Sequence, residues 1–132
     1  MMAAISLEIV EHIADVRLNR PEKRNAINLE LMQSLVTVAQ QLKVNKQLRA
    51  IVLSGNGETF CAGMDFAIFT DMLTGRINAD DNAEDFKDIS EQGANPGQQM
   101  CWLWQEIPVP VIAAVHGAAI GAGLNIALGA DI

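Results

Sequence analysis

The sequence predicts an α/β fold, a sheet whose strands alternate with helices, and three stretches carry that prediction. Ile5–Val10 and residues 14–18 alternate apolar and polar side chains, the period of half-buried strands, so a hairpin turning at His12 and Ile13 is expected. From Asn28, a good N-cap with Glu30 in the first turn, Leu31, Leu35, Val38 and Leu42 recur at helical spacing through about Val44. Residues 49–54 follow as a short apolar run of strand length, and the order strand, helix, strand is that of α/β proteins.

Between hairpin and helix lies a polar loop, Asn19-Arg20-Pro21-Glu22-Lys23-Arg24-Asn25. With Arg17 it collects four of the nine basic residues on a chain of net charge −7. Such a patch either meets a phosphorylated small molecule or is an ordinary solvated cluster. The overall acidity argues against a nucleic-acid partner, because neutralising phosphates needs a basic face.

Further on, a turn at residues 55–58 leads into Thr59-Phe60-Cys61-Ala62-Gly63-Met64-Asp65-Phe66. Small residues stand just before Asp65, and Phe66, Ile68, Phe69, Met72 and Leu73 suit a short helix that Asp65 would cap. Residues 76–91 carry six acids and two bases and are the expected mobile loop. A helix is expected to resume by Ile89, pass Trp102 and Trp104, and end before Pro108. Both tryptophans are expected in the core or at a subunit contact.

The 24 residues 107–130 hold no charged side chain, so they must be buried in a folded body or leave water. Pro108, Pro110, the glycines, His116 and Asn125 make a poor membrane helix. Residues 109–115 read instead as a buried strand, and Gly121-Ala122-Gly123 opens a helix that Gly129 closes. Small residues at that opening let a ligand atom approach unpaired backbone N–H groups. A dinucleotide fingerprint fails, since Ile126 stands where a third glycine is required. Cys61 and Cys101 form no CxxC pair, and His12 and His116 have no ligand spacing, so no metal site is expected. Glu8, Glu11 and Asp15 interrupt any secretory signal, and the expected compartment is the reducing cytoplasm.

Three motifs now stand in one order: Leu18-Asn19-Arg20-Pro21 with Lys23-Arg24-Asn25-Ala26, then Phe60-Cys61-Ala62-Gly63-Met64-Asp65, then Pro110-Val111-Ile112-Ala113-Ala114-Val115-His116-Gly117 with Gly121-Ala122-Gly123. Together they resemble the N-terminal half of the crotonase superfamily, the enoyl-CoA hydratases and isomerases. The resemblance implies a crotonase-like spiral of ββα units, with residues 1–132 a core domain truncated at its C-terminal end, and either a natural protein about twice as long or a missing part supplied separately. It implies an acyl-CoA thioester as substrate in fatty-acid or related metabolism, with no cofactor beyond that coenzyme A. The thioester oxygen would lie between the N–H groups of Met64 and Ala122, with Ala62, Gly63 and Asp65 beside the substrate and Lys23 and Arg24 near the CoA phosphates. Family hydratases carry a glutamate where this chain has Asn125, and an amide cannot transfer a proton near neutral pH. The implied activity is therefore isomerase-like or weakly hydratase-like. The alternative is an acyl-CoA-binding homologue with little or no catalysis. A homotrimer or hexamer, with no nucleic acid and no membrane, is the implied assembly.

Overall fold

The computed structural model describes residues 3–76 and 93–132. The acid-rich run after Arg76 and the expected helix start at Ile89 lie outside the described residues. Among the described residues four strands form one sheet in the order β1-β2-β3-β4. β1 (Ile5–Val10) and β2 (Ile13–Leu18) are antiparallel, with Val10 opposite Ile13. Their two-residue turn is Glu11-His12, both left-handed at φ 49° and 71°, the geometry whose twist matches that of a hairpin. Neither residue is the Gly or Asn expected at such a position, and β2 accordingly starts one residue earlier than the alternation places it. Support comes from outside the hairpin: Arg49 N–H donates to His12 O (2.8 Å), and His12 Nδ1 lies 2.9 Å from Gln47 O.

β3 (Ala50–Gly55) runs parallel to β2, which requires a crossover, and α1 (Leu29–Lys43) supplies it. Asn28 caps α1, its side chain accepting from Leu31 N–H at 2.9 Å. The apolar stripe Leu31, Leu35, Ala39 and Leu42 shares one buried core with Val16, Leu18, Ile51 and Leu53 of the sheet. Trp104 fills the same core, fully buried, its indole N–H donating to Met100 O at 2.8 Å. Trp102 behaves differently, being 51% exposed with its N–H on Glu106.

Two elements are shorter than their sequence patterns. α2 (Phe66–Leu73) spans the expected residues, but α3 (Pro96–Trp102) starts at a capping box between Asn95 and Gln98. Gly93 lies at φ 81° and Asn95 is extended before Pro96, so residues 93–95 stand outside the helix. A 3-10 turn, Leu103–Glu106, then completes the path, and Lys43 at the end of α1 pairs with Glu106 at 2.6 Å. β4 is only Val111–Ala113, parallel to β3, in place of residues 109–115. Pro110 has no N–H to offer a ladder, and beyond Ala114 the chain leaves the sheet to pair with Phe60 and Cys61. α4 (Ala122–Leu128) follows and ends at Gly129.

The loop between β2 and α1 is fastened from within by Asn25, fully buried at φ 55°. Its amide donates to Asn56 O and Thr59 O, both at 2.9 Å, and its carbonyl oxygen accepts from Arg20 N–H at 2.9 Å. Asn25→Asp keeps the shape and the Arg20 bond yet replaces both donors with a buried carboxylate oxygen facing two carbonyls. We expect the variant of the full natural protein to lose about 3 kcal/mol of stability, read as a lower urea midpoint. An unchanged midpoint would remove Asn25 from this role.

Candidate active site

Residues 60–65 form a segment, turned at Gly63, that is bonded on two sides to two others. On one side Ala62 N–H donates to Arg24 O (3.0 Å), Ile27 N–H to Gly63 O (2.8 Å) and Asp65 N–H to Ile27 O (2.9 Å). On the other, Cys61 N–H donates to Ala118 O (3.0 Å) and Ile120 N–H to Cys61 O (3.1 Å). A trans peptide points its N–H opposite to its C=O. Gly63 C=O faces Ile27, so Met64 N–H faces the 118–122 side. It finds no acceptor among the described residues.

The second corner is built to lie against the first. Gly63, at φ 93°, would place a Cβ 2.8 Å from Ile120 O, and a Cβ on Gly123 would stand 2.6 Å from Cys61 O. Both contacts tolerate only hydrogen at these Cα atoms. Gly121, at φ 56°, turns the chain into α4, and its carbonyl accepts from Asn125 N–H at 3.1 Å. By the same peptide geometry Ala122 N–H points out of the helix start, and it too has no acceptor among the described residues. The fold thus brings Met64 and Ala122 onto two interlocked corners, each with an unpaired backbone donor.

The basic patch divides. Arg17 lies on β2 and makes two-pronged bonds to Asp15, so it is engaged away from the corners. Arg20 is also engaged: one guanidinium nitrogen donates to Asp65 Oδ2 at 2.6 Å and to Ala26 O at 2.8 Å. Lys23 and Arg24 are exposed and without an ion pair among the described residues. They remain the free cations of the patch. The backbone of Arg24, by contrast, is tied to Ala62, so these cations sit on the loop that borders the first corner.

Asp65 is the cap of α2, its Oδ1 accepting from Ala67 N–H at 3.0 Å while Oδ2 holds Arg20. Both side chains are largely shielded, at 17% and 19% exposure. The Ala67 N–H, then Arg20, hold the Asp65 carboxyl below its ordinary range. The structural role of Asn25 and the Arg20–Asp65 pair are not readable from a loop that looks like a solvated charge cluster. An asparagine beside a proline-containing turn is the one local signal of a left-handed anchor.

Asn125 is exposed on α4 and lines a cleft of 720 Å³ with Gly97, Cys101, Trp102, Gln105 and Leu128. Burial pushes the Cys101 thiol up to about 11, and burial raises Cys61 as well. Neither is a thiolate nucleophile at neutral pH. Among the described residues no three His, Cys, Asp or Glu side chains are placed to hold a metal ion, and no helix is long and apolar enough to cross a membrane.

Interlocked glycine corners at the ends of ββα-type units define a crotonase-like α/β protein. The family model for enoyl-CoA hydratase/isomerase matches residues 8–132, and the chain belongs to that family. It is 34% identical over 125 residues to mouse mitochondrial Delta(3,5)-Delta(2,4)-dienoyl-CoA isomerase (Mus musculus), covering 92% of this chain and 37% of that protein. It is 33% identical over 132 residues to 1,2-epoxyphenylacetyl-CoA isomerase of Escherichia coli, covering all of this chain and 47% of that one. The crystal structure of an enoyl-CoA hydratase/isomerase from Mycobacterium paratuberculosis superposes with TM-score 0.82 at 28% identity, over 100% of this chain and 49% of that one. The chain spans less than half the length of these curated relatives.

The Asp65 shift has a signed consequence. A carboxyl depressed in the folded state contributes stability above its unfolded pKa and loses it as pH falls through the folded value. Asp65→Asn is therefore expected to flatten that acid limb of the unfolding profile, leaving the part due to Glu106, which Lys43 depresses in the same direction. An acid limb identical to that of the unaltered protein would show that the Arg20–Asp65 pair adds nothing to stability.

Proposed function

We propose that the complete protein binds acyl-CoA thioesters and polarises the thioester carbonyl between the N–H groups of Met64 and Ala122. The observation that carries this reading is the pair of unpaired backbone donors on two corners that glycines hold together. A carbonyl oxygen gains negative charge when the thioester is deprotonated at its α-carbon or attacked at its β-carbon. Donors fixed before that charge develops stabilise the transition state, and losing one typically lowers the rate about 10²–10³-fold. Lys23 and Arg24, free on the bordering loop, suit the phosphates of coenzyme A, with Ala62 and Gly63 leaving room for the thioester. Asp65, held by Ala67 and Arg20, acts in this reading through the backbone it fixes. No cofactor other than the substrate's own coenzyme A is required.

The reaction class follows from Asn125. Its amide donates and accepts hydrogen bonds but moves no proton, so hydration with a separate acid and base is disfavoured against double-bond isomerisation, in which one group elsewhere can both remove and return the proton. Relatives that are isomerases by name fit that direction. The proton carrier would come from the family fold outside these residues. A binding protein with little catalysis is the second reading, and Asn125 is the observation that favours it. We further propose a homotrimer or hexamer, since Ile120, Leu124 and Leu128 are exposed apolar side chains around α4. A cytoplasmic setting suits Cys61 and Cys101, both free thiols.

The test is titration of the full natural protein with a short-chain acyl-CoA. Joint Lys23→Glu and Arg24→Glu is expected to weaken binding, more at low salt than at high. Ala122→Pro deletes the donor and is expected to lower turnover about 10²-fold or more, while Ala122→Gly stays within about twofold of the unaltered protein. No binding at millimolar ligand would overturn the reading, and an active, folded proline variant would remove Ala122 from it.

For Asn125 the expected result is slow hydration of crotonyl-CoA, with Asn125→Glu the variant able to raise it. Hydration by the unaltered protein at an ordinary enzyme rate, about 1–10³ s⁻¹, would show that this position does not limit proton transfer.

A further inference from the structure

The Met64 N–H is aimed by the peptide that carries it, and that peptide is held by its neighbours. Gly63 C=O and Asp65 N–H both bond Ile27, which fixes the main chain on either side of Met64 at one edge. On the N-terminal side Cys61 and Ala62 are held as well, by residues 118–120 and Arg24, whereas on the C-terminal side the Asp65 N–H bond to Ile27 is the last main-chain tie to another segment before α2. The structure adds a side-chain tether at that end. One guanidinium nitrogen of Arg20 binds the Asp65 carboxylate at 2.6 Å and the Ala26 carbonyl at 2.8 Å, so a single rigid group joins the residue after Met64 to the residue before Ile27. The other Asp65 oxygen holds Ala67 N–H at 3.0 Å, which sets the direction in which α2 departs. Arg20 is itself anchored, since its N–H donates to the buried Asn25 side chain at 2.9 Å.

We propose that Arg20 is a positioning residue for the oxyanion donor at Met64, acting through Asp65 and Ala26 and touching no substrate atom. This rests on the reading of Met64 N–H as a thioester donor. An arginine suits the task because its planar fork is preorganised and permanently charged. A displacement of a donor by an ångström or so is enough to matter, since misplacement on that scale costs about 10²-fold in rate.

The experiment uses the full natural protein and a short-chain acyl-CoA labelled with ¹³C at the thioester carbonyl. Bound to the unaltered protein, the labelled carbonyl stretch is expected to fall below its value in water, the signature of hydrogen bonding to a polarised oxygen. In Arg20→Gln that downshift is expected to shrink by about half or more and kcat to fall about tenfold, with KM and the affinity for free CoA within about threefold, because CoA has no thioester carbonyl to position. Arg20→Lys, whose ammonium can donate to both oxygens, is expected to restore most of the downshift. Asp65→Asn, which keeps a cap oxygen for Ala67 but loses the charge, is expected to behave as Arg20→Gln, and it serves where the glutamine variant does not fold. A folded Arg20→Gln or Asp65→Asn protein with a lower urea midpoint but an unmoved carbonyl stretch and kcat would overturn the inference, assigning the pair to stability alone. A carbonyl stretch unshifted in the unaltered protein would instead overturn the oxyanion reading, and this inference with it.

Discussion

The site depends on one constraint: six residues, 60–65, must satisfy hydrogen bonds to two different segments on opposite edges. The edge that bonds Arg24 and Ile27 commits Ala62, Gly63 and Asp65, the edge that bonds residues 118–120 commits Cys61, and the positive φ of Gly63 turns its C=O to the first edge and the Met64 N–H away from it. Met64 is left over at the place where the second edge runs out. Its neighbour across the gap turns away into α4 and can no longer offer a carbonyl. An unpaired donor there is a by-product of the chain's departure, and the glycines at 63 and 123 keep the gap closed enough to exclude side chains.

Much of the fold was legible because periodicity and chain order suffice for it. Strand alternation and the 3.6-residue stripe of α1 report which face meets the core, and burial of Leu31, Leu35, Val16 and Leu53 follows from that alone. Boundaries set by backbone chemistry were less visible. The hairpin turn at Glu11-His12 is enforced by bonds from Gln47 and Arg49, residues 35 and more positions away, and no local rule would choose glutamate and histidine for positive φ. β4 is short for a similar reason: the apolar run continues, but its hydrogen-bonding partners change from β3 to residues 60–61.

At the site, the two small-residue corners stand out in the sequence, since only compact residues permit such close approach, but how they interlock does not. The basic loop shows the difference most plainly. Arg17, Arg20, Lys23 and Arg24 are equivalent as charges in a sequence, and the structure sorts them by reach. Arg17 turns to Asp15 two residues away on its own strand, Arg20 crosses to Asp65, 45 positions on, and only the last two stay with solvent. Nothing in composition distinguishes a cation that binds a partner from one that braces the fold.

Backbone donors are indifferent to side-chain identity, so position 122 can vary without losing its geometry. An alanine at 122 offers the same N–H as a glycine, provided its φ lies on the ordinary side, and the positive φ of the turn falls on Gly121 instead. The steric demand of close approach falls on Gly123, whose Cβ would meet Cys61, so the middle position is the one of the three where a methyl group is tolerated. Asn125 is different in kind, because an amide side chain donates and accepts hydrogen bonds but does not transfer a proton near neutral pH. In the proposed reading the polarising half of the chemistry is carried by main chain and is therefore insulated from substitution. The proton-moving half hangs on single side chains, and that is where members of one fold diverge in reaction.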